Sequence, residues 1–313
     1  MSSWKILLTD GLENEGRAIL SPAAEVVDRS GIGAEDLLKE IGEYDALIVR
    51  GRTKVTAAVL AAATNLKVAG RAGVGVDNID LNAARERGVV VVNSPLATTV
   101  AVAELTMGLM LATCREIARA DATMKAGKWI KKELEGGELY NKTLGVIGFG
   151  RIGAGVAQRA HAFGMNIIGY DPLISAEEIS RRGGRPVTLD ALLAESDVIT
   201  LHIPLTPESR NLLNAEAFAK MKDGVRIVCA ARGGVLDEDA LLAALESGKV
   251  AAAGLDVFAT EPPGATALVT HPRVICTPHI GAQTVEAQQR AAVDIASEVL
   301  AALRGDALRW RVA

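Results

Sequence analysis

The stretch Thr143-Leu144-Gly145-Val146-Ile147-Gly148-Phe149-Gly150-Arg151-Ile152-Gly153 decides how the rest of the chain is read. An aliphatic run, Thr143 to Ile147, enters three glycines spaced GxGxxG, and Ala154 to Phe163 continues with helical periodicity. In that context each glycine has a mechanical reason. Gly148 permits a tight turn, Gly150 lets backbone approach a pyrophosphate, and Gly153 allows the helix to pack closely on the strand. The helix N-terminus then faces the anion, with Arg151 and Ile152 at its start. A second run, Asn166-Ile167-Ile168-Gly169-Tyr170, ends at Asp171, 18 residues past Gly153, close to the ~20 expected for a ribose-binding carboxylate. A carboxylate there accepts from both ribose hydroxyls and repels a 2′-phosphate, so the spacing points to NAD over NADP. By contrast, Gly31-Ile32-Gly33 has no strand leading into it and reads as a turn.

Working outward, short aliphatic runs alternate with helical segments along the chain, the pattern of βαβ units around a parallel sheet covered on both faces. The first third offers strands at Lys5 to Leu8, Ala46 to Val49, Lys67 to Ala69 and Val89 to Val92. A second set comprises Thr143 to Ile147, Asn166 to Gly169, Val198 to Leu201, Val225 to Cys229, Ala252 to Leu255 and Val274 to Cys276. Two doubly wound α/β sheets are expected. Thr98 to Lys125 reads as a helix linking them, and the helical run Ala287 to Leu303 is free to return to the first sheet, which would make the first domain discontinuous.

Composition narrows the class. The 313 residues carry 34 Lys+Arg against 38 Asp+Glu, a net charge of -4, without the basic footprint of a nucleic-acid or anionic-membrane binder. A small-molecule partner is expected. Cys114, Cys229 and Cys276 are widely spaced and match no disulfide or zinc pattern, so no metal is expected and a reducing cytoplasm fits. The start of the chain lacks signal-peptide order, and Val100 to Ala112 is interrupted by Glu104 and too short to span a bilayer.

Candidate chemistry clusters after the later strands. His279, in Pro278-His279-Ile280-Gly281-Ala282, stands at the carboxyl end of a strand, where open α/β sheets bind ligands. Imidazole is the natural proton carrier for oxidising an alcohol near neutral pH. Glu261, in Asp256-Val257-Phe258-Ala259-Thr260-Glu261-Pro262, is a carboxylate able to orient such a ring. Arg232, in Ala230-Ala231-Arg232-Gly233-Gly234, offers a bidentate cation for a 2-hydroxy acid. His202 ends another strand and lines the same end of the sheet, whereas His161 and His271 read as surface histidines.

These segments, with Gly70-Arg71-Ala72-Gly73-Val74-Gly75-Val76-Asp77-Asn78-Ile79-Asp80, closely resemble the D-isomer-specific 2-hydroxyacid dehydrogenases over nearly the whole chain. The resemblance implies two Rossmann-like domains: a discontinuous substrate domain over residues 1–98 and 286–313, and an NAD-binding domain over 99–285, on which a homodimer is built. It also implies that Arg232, Glu261 and His279 are catalytic. In this reading Arg232 binds the carboxylate and carbonyl oxygen, Glu261 pairs with His279, and His279 exchanges the proton. NAD would contact Gly148, Gly150, Arg151, Ile152, Gly153, Asp171, His202, Ala230, Arg232, Asp256, His279 and Gly281, with Asp256 holding the nicotinamide carboxamide. Closure of the domains would exclude water.

The substrate would meet the backbone of Gly73, Val74 and Gly75, with Arg50, Arg52 and Arg71 supplying positive charge suited to a phosphorylated 2-hydroxy acid, as in the branch of the family that oxidises one. Two positions depart from the family pattern. Cys229 replaces the usual Asn three residues before the arginine, and Thr98 stands where the phosphorylated-acid branch often has Asn. The chain stops at Ala313, just past its last helical run, where longer relatives carry a regulatory domain, so a form without it is expected. Two alternatives stay open: a reductase of unphosphorylated 2-keto acids in the same family, and a corepressor-like protein that keeps NAD as a structural ligand.

Overall fold

The structure, a computed structural model, describes residues 4–313. The chain begins β1 (Trp4–Leu8), α1 (Asn14–Leu20), β2 (Ala24–Asp28), α2 (Ala34–Glu40), β3 (Ala46–Val49), α3 (Ala57–Ala62), β4 (Val68–Arg71), α4 (Leu81–Glu86) and β5 (Val90–Asn93). Two helices follow, α5 (Thr99–Cys114) and α6 (Ile117–Lys125). Next come β6 (Thr143–Ile147), α7 (Arg151–Ala162), β7 (Asn166–Tyr170), α8 (Ala176–Arg181), β8 (Arg185–Pro186), α9 (Leu189–Glu195) and β9 (Val198–Leu201). The chain ends with α10 (Ala215–Lys220), β10 (Val225–Cys229), α11 (Glu238–Glu246), β11 (Val250–Leu255), β12 (Val274–Cys276) and α12 (Val285–Arg304).

The strands form two parallel sheets, of five strands in the order β2-β1-β3-β4-β5 and seven in the order β12-β11-β10-β9-β6-β7-β8. Residues of central strands such as Ala46–Val49 and Val198–Leu201 are buried throughout, which a parallel sheet covered by helices on both faces requires. Side chains alternate between the faces. In β1, Ile6 and Leu8 enter one apolar cluster with Ile295 and Val299 of α12, while Leu7 joins Leu37, Ile41 and Leu60 on the other face. In β6, Leu144 and Val146 pack with Val156 and Ala160, and Ile147 faces the opposite cluster.

Two strands lie outside the expected set. The residues of β2 include the charged Glu25 and Asp28 and are largely solvent-accessible, and β8 is a two-residue edge strand containing Pro186, so neither shows the aliphatic run that marks a buried strand. The expected linking helix is two helices, because Glu116 takes a left-handed φ of 50° between α5 and α6. No Gly or Pro at that point announces the break. No described helix is long and apolar enough to cross a membrane.

The chain divides into two compact units, one running to Thr99 and resuming at Ala282–Ala313, the other Val100–Gly281. The second crossing falls at 281/282, four residues earlier than expected, because the segment before α12 is bound to that helix. Thr284 Oγ1 accepts the Ala287 amide at 3.1 Å, and Gln288 Nε2 donates to the Ala282 carbonyl at 2.7 Å. α12 completes the first unit by lying against α1 and β4. A Cβ at Gly16 would fall 2.7 Å from the Ala292 carbonyl oxygen, and one at Gly70 would fall 2.7 Å from Val299 Cγ2. The buried Glu298 carboxylate accepts the amides of Arg309 and Trp310 at 3.0 and 3.2 Å, and Val312 N–H donates to the Val91 carbonyl at 2.7 Å.

Because the obstruction at Gly16 is backbone, Gly16→Ala is expected to destabilise the first unit by about 1–3 kcal/mol, the usual cost of overpacking. The urea midpoint of its unfolding measures this, and a midpoint equal to wild type would contradict the close α1–α12 approach.

Candidate active site

In the seven-stranded sheet the strand order reverses between β6 and β9, and at such a switch point the loops at the carboxyl ends diverge and leave a crevice. The glycine turn follows β6 and His202 follows β9. Gly148 has φ of 92°, and a Cβ there would fall 2.7 Å from the His202 carbonyl carbon and oxygen. At Gly153 a Cβ would strike the Gly148 carbonyl at 2.0 Å, whereas one at Gly150 would meet nothing within 4 Å. The turn is thus sealed toward the protein and open in front of α7. Gly150 starts that helix without a side-chain cap, so the first-turn amides beginning at Arg151 and Ile152 have no side-chain acceptor from it.

Asp171 closes the far side of this cradle. Its Oδ2 accepts the Phe149 amide and its Oδ1 the Leu173 amide, both at 2.8 Å, and an ionised carboxylate still has lone pairs for ribose hydroxyls. Arg182 Nη1 donates to the Phe149 carbonyl at 2.6 Å, a support from α8's C-cap with no motif of its own. The open helix start, the space at Gly150 and the carboxylate fit a dinucleotide. His202 is half-buried behind the turn, with its Nδ1 inaccessible to solvent. Its Nε2 lies 3.0 Å from Thr200 Oγ1, and its Nδ1 has no partner among the described residues. Burial holds the ring's pKa down at about 3.

Three later strands of the same sheet carry the candidate acid/base groups. β10 leads into Ala230 and Arg232, β11 into Asp256, and β12 to His279. His279 Nδ1 lies 2.8 Å from Glu261 Oε2. A carboxylate at that distance accepts Nδ1–H and leaves Nε2 to exchange a proton. The His279 backbone is strained, with φ of 54°, a conformation rare for side-chain-bearing residues. Asp256 maintains it. Buried to 1% exposure, its carboxylate accepts Thr277 Oγ1–H at 2.6 Å and the amides of Ile280 and Gly281, both at 2.8 Å. A Cβ at Gly281 would lie 3.1 Å from Asp256 Oδ2. The sequence singled out Asp256 for a ligand contact, but this grip on both sides of His279 follows only from strand order.

Arg232 Nη1 donates to the Ala231 carbonyl at 2.7 Å. Cys229, where the family usually has Asn, lies with its Sγ 3.9 Å from the Arg232 carbonyl oxygen, and burial raises its thiol to about 11. The neutral thiol supplies a weak donor to the arginine turn. His161 is exposed, and the His271 ring accepts the Arg273 amide at 3.2 Å through Nδ1.

In the first unit the switch point lies between β1 and β3. Asp10, after β1, accepts the amides of Arg50 and Thr53 at 2.8 and 3.1 Å and pairs with Arg52 Nε at 3.2 Å. Arg50 pairs with Glu13, and Arg52 Nη2 donates to the Thr9 carbonyl at 2.8 Å. Both arginines are thus tied into their own unit. The Arg71 side chain lies across Gly73, where a Cβ would fall 1.4 Å from Nη1, and Gly73 has φ of 139°. The Gly73 amide donates to Ser94 Oγ at 2.6 Å, and Asn93 Nδ2 donates to the Val74 carbonyl at 2.6 Å. Asn93-Ser94-Pro95 reads from sequence only as a turn, yet its position at the carboxyl end of β5 makes it the brace of the Gly73 loop. No group of three or more His, Cys, Asp or Glu side chains able to hold a metal occurs among the described residues.

Residues 107–281 match the sequence profile described as D-isomer specific 2-hydroxyacid dehydrogenase, NAD binding domain. The chain belongs to this family. The matched residues make up most of the second unit, Val100–Gly281, which is the family's NAD-binding domain. Among family relatives, a D-3-phosphoglycerate dehydrogenase of Methanocaldococcus jannaschii is 52% identical over 96% of this chain, which spans 58% of that relative. A hydroxypyruvate reductase of Thermotoga maritima is 48% identical over 96% of this chain and 98% of the relative. In three dimensions the chain is similar to the TT0316 protein of Thermus thermophilus, with a TM-score of 0.91 and 36% identity over 99% of this chain and 100% of that one. The chain spans little more than half the length of the D-3-phosphoglycerate dehydrogenases it matches, 58%, 54% and 57%.

His202 yields a pH prediction. With its folded value near 3 and an unfolded histidine near ~6.5, protonation below the unfolded value favours the unfolded state. Stability supplied by the neutral ring is therefore present above pH ~6.5 and is lost as pH falls toward 3. His202→Asn is expected to flatten the decline in Tm between pH 7 and 5, and parallel Tm profiles for variant and wild type would refute it.

Proposed function

We propose that the protein oxidises D-3-phosphoglycerate to 3-phosphohydroxypyruvate with NAD, the oxidation that opens L-serine biosynthesis. The observation that carries this reading is the His279–Glu261 pair at 2.8 Å, set after the same sheet whose earlier loops form the dinucleotide cradle. The names of the Methanocaldococcus jannaschii, Synechocystis and rat relatives, all D-3-phosphoglycerate dehydrogenases, support the substrate.

Bound NAD supplies a hydride acceptor for C2 of the substrate. His279 Nε2 takes the C2 hydroxyl proton while Glu261 keeps Nδ1 protonated and steadies the resulting imidazolium. Arg232 binds the carboxylate and the developing carbonyl oxygen through its planar fork. In the first unit, Arg71 and the amides of Val74 and Gly75 are assigned to the substrate's anionic groups. Arg50 and Arg52 are assigned to its phosphate. Each guanidinium has five donors, so its pairing with Glu13 or Asp10 leaves others for a ligand. A homodimer formed through the NAD-binding unit, working in the cytoplasm, completes the proposal.

A second reading, reduction of unphosphorylated hydroxypyruvate, is favoured by two observations. The Thermotoga maritima hydroxypyruvate reductase matches over 98% of its own length, and Arg50 and Arg52 are already paired with carboxylates. NADH absorbance with NAD and D-3-phosphoglycerate, beside D-glycerate and D-lactate and with hydrazine trapping the ketone, separates the two. Signal confined to the phosphorylated acid supports the first reading, and equal or larger signal from D-glycerate replaces it with the second.

His279→Ala is expected to cut turnover by at least the ~10²-fold of a lost acid/base, with the dissociation constant for NAD nearly unchanged in a fluorescence titration. Turnover near wild type would remove His279 from the mechanism.

A further inference from the structure

Two carboxylates grip consecutive amides of the loop that carries Glu261. The Phe258 amide donates to Glu261 Oε1 at 3.1 Å, a contact made within the loop itself. The next amide, Ala259, donates to Glu238 Oε1 at 2.6 Å, and Glu238 stands 21 residues earlier in the first turn of α11. That helix is firmly seated. Asp237 caps it by accepting the Ala240 amide at 3.0 Å, and Leu241 and Leu245 are buried in the core. The loop is not. Ala259, Thr260 and Glu261 are all exposed, and the side chains of His279 and Glu261 retain 49% and 38% exposure. Burial therefore does not hold the pair together, and an exposed ion pair contributes little by itself.

The same peptide also touches the arginine turn. A Cβ at Gly233 would fall 1.8 Å from the Phe258 carbonyl oxygen and 2.7 Å from the Ala259 nitrogen, so the backbone after Arg232 lies against the peptide unit that Glu238 holds. The cavity bordered by Cys229, Arg232, Gly233, Glu238 and Val257 is about 10 Å³, at the limit of what one water needs. Beside it the Glu238 carboxylate is engaged by the Ala259 amide.

We propose that Glu238 is a positioning residue for the acid/base pair, fixing the 258–261 loop to α11 so that Glu261 faces His279 and the Arg232 turn keeps its place beside them. The inference rests on the assignment of proton transfer to His279 and Glu261. Outer partners that orient metal-ligating histidines commonly change activity 10- to 100-fold when removed, and a histidine oriented for proton transfer is expected to respond on the same scale. Glu261 and Asp256 are the charged groups bonded to the His279 ring and to the amides that follow it. Glu238 touches neither and acts through the loop.

The test compares Glu238→Ala, Glu238→Gln and Glu238→Asp in the full chain. Its first readout is the tautomer of His279, read above neutral pH from the imidazole ¹⁵N shifts by correlation with the non-exchanging ring protons. Loss of a signal in His279→Gln assigns it among the four histidines. Wild type should show Nδ1–H, as the Glu261 bond demands. Glu238→Ala should move the ring toward Nε2–H and lower kcat by ~10-fold or more with KM for NAD unchanged. Glu238→Gln keeps an oxygen acceptor at the same reach and should restore both. Glu238→Asp keeps the charge but not the reach and should behave as Ala, which also covers the case in which the alanine variant does not fold. Imidazole shifts of Glu238→Asp coincident with wild type, or a loss in Gln equal to that in Ala, would overturn the proposal. A wild type that oxidises no 2-hydroxy acid but shows the expected tautomer changes would overturn the functional reading and leave the role of Glu238 standing.

Discussion

Parallel pairing is the constraint on which the rest of this structure depends. Parallel neighbours must be joined by crossovers, so the chain leaves the same edge of the sheet each time and delivers a loop there. Arg232, Asp256 and His279 stand at the carboxyl ends of three adjacent strands, β10, β11 and β12. The glycine turn after β6 and His202 after β9 occupy the same edge at its switch point. Gathering these groups needs no special long-range device beyond the sheet order itself.

What the sheet order leaves loose, buried carboxylates fix. Asp10, Asp256 and Glu298 are each almost fully inaccessible, and each grips two backbone amides of a loop distant in sequence. Asp10 holds 50 and 53, Asp256 holds 280 and 281, and Glu298 holds 309 and 310. A buried charge is tolerated when its lone pairs are satisfied, and amide donors satisfy it strongly. At Asp256 the result falls beside the candidate acid/base pair. Its bonds hold His279 in a left-handed conformation that the residue would not adopt alone. Glu238 extends the same device to a more exposed loop.

Glycines set the closest approaches in both units. Gly153 lets α7 lie on β6 at the cofactor cradle, Gly16 lets α12 lie on α1, and Gly233 lets the arginine turn meet the loop of Glu261. In each place the atom met would be backbone, which cannot move aside as a side chain can. The permissive backbone of glycine matters less there than the absence of its side chain.

Local pattern sufficed for most of the framework. The run into GxGxxG and the buried central strands are legible because each depends on residues near in sequence, whereas Arg232, Glu261 and His279 stand out as candidates through their motifs and the family resemblance those motifs carry. The edge strands β2 and β8 were hidden because half-exposed or two-residue strands need no aliphatic run, and the break at Glu116 because no Gly or Pro marks it. The sequence by itself determined the α/β class, the glycine turn between β6 and α7 and the candidate groups after the later strands. Only the tertiary structure decided which carboxylate holds which loop: Asp10 with Arg52, Asp256 with the amides beside His279, Glu238 with Ala259. Those bonds join residues 21 to 42 positions apart, and no spacing rule of a helix or strand reaches across a crossover to predict them.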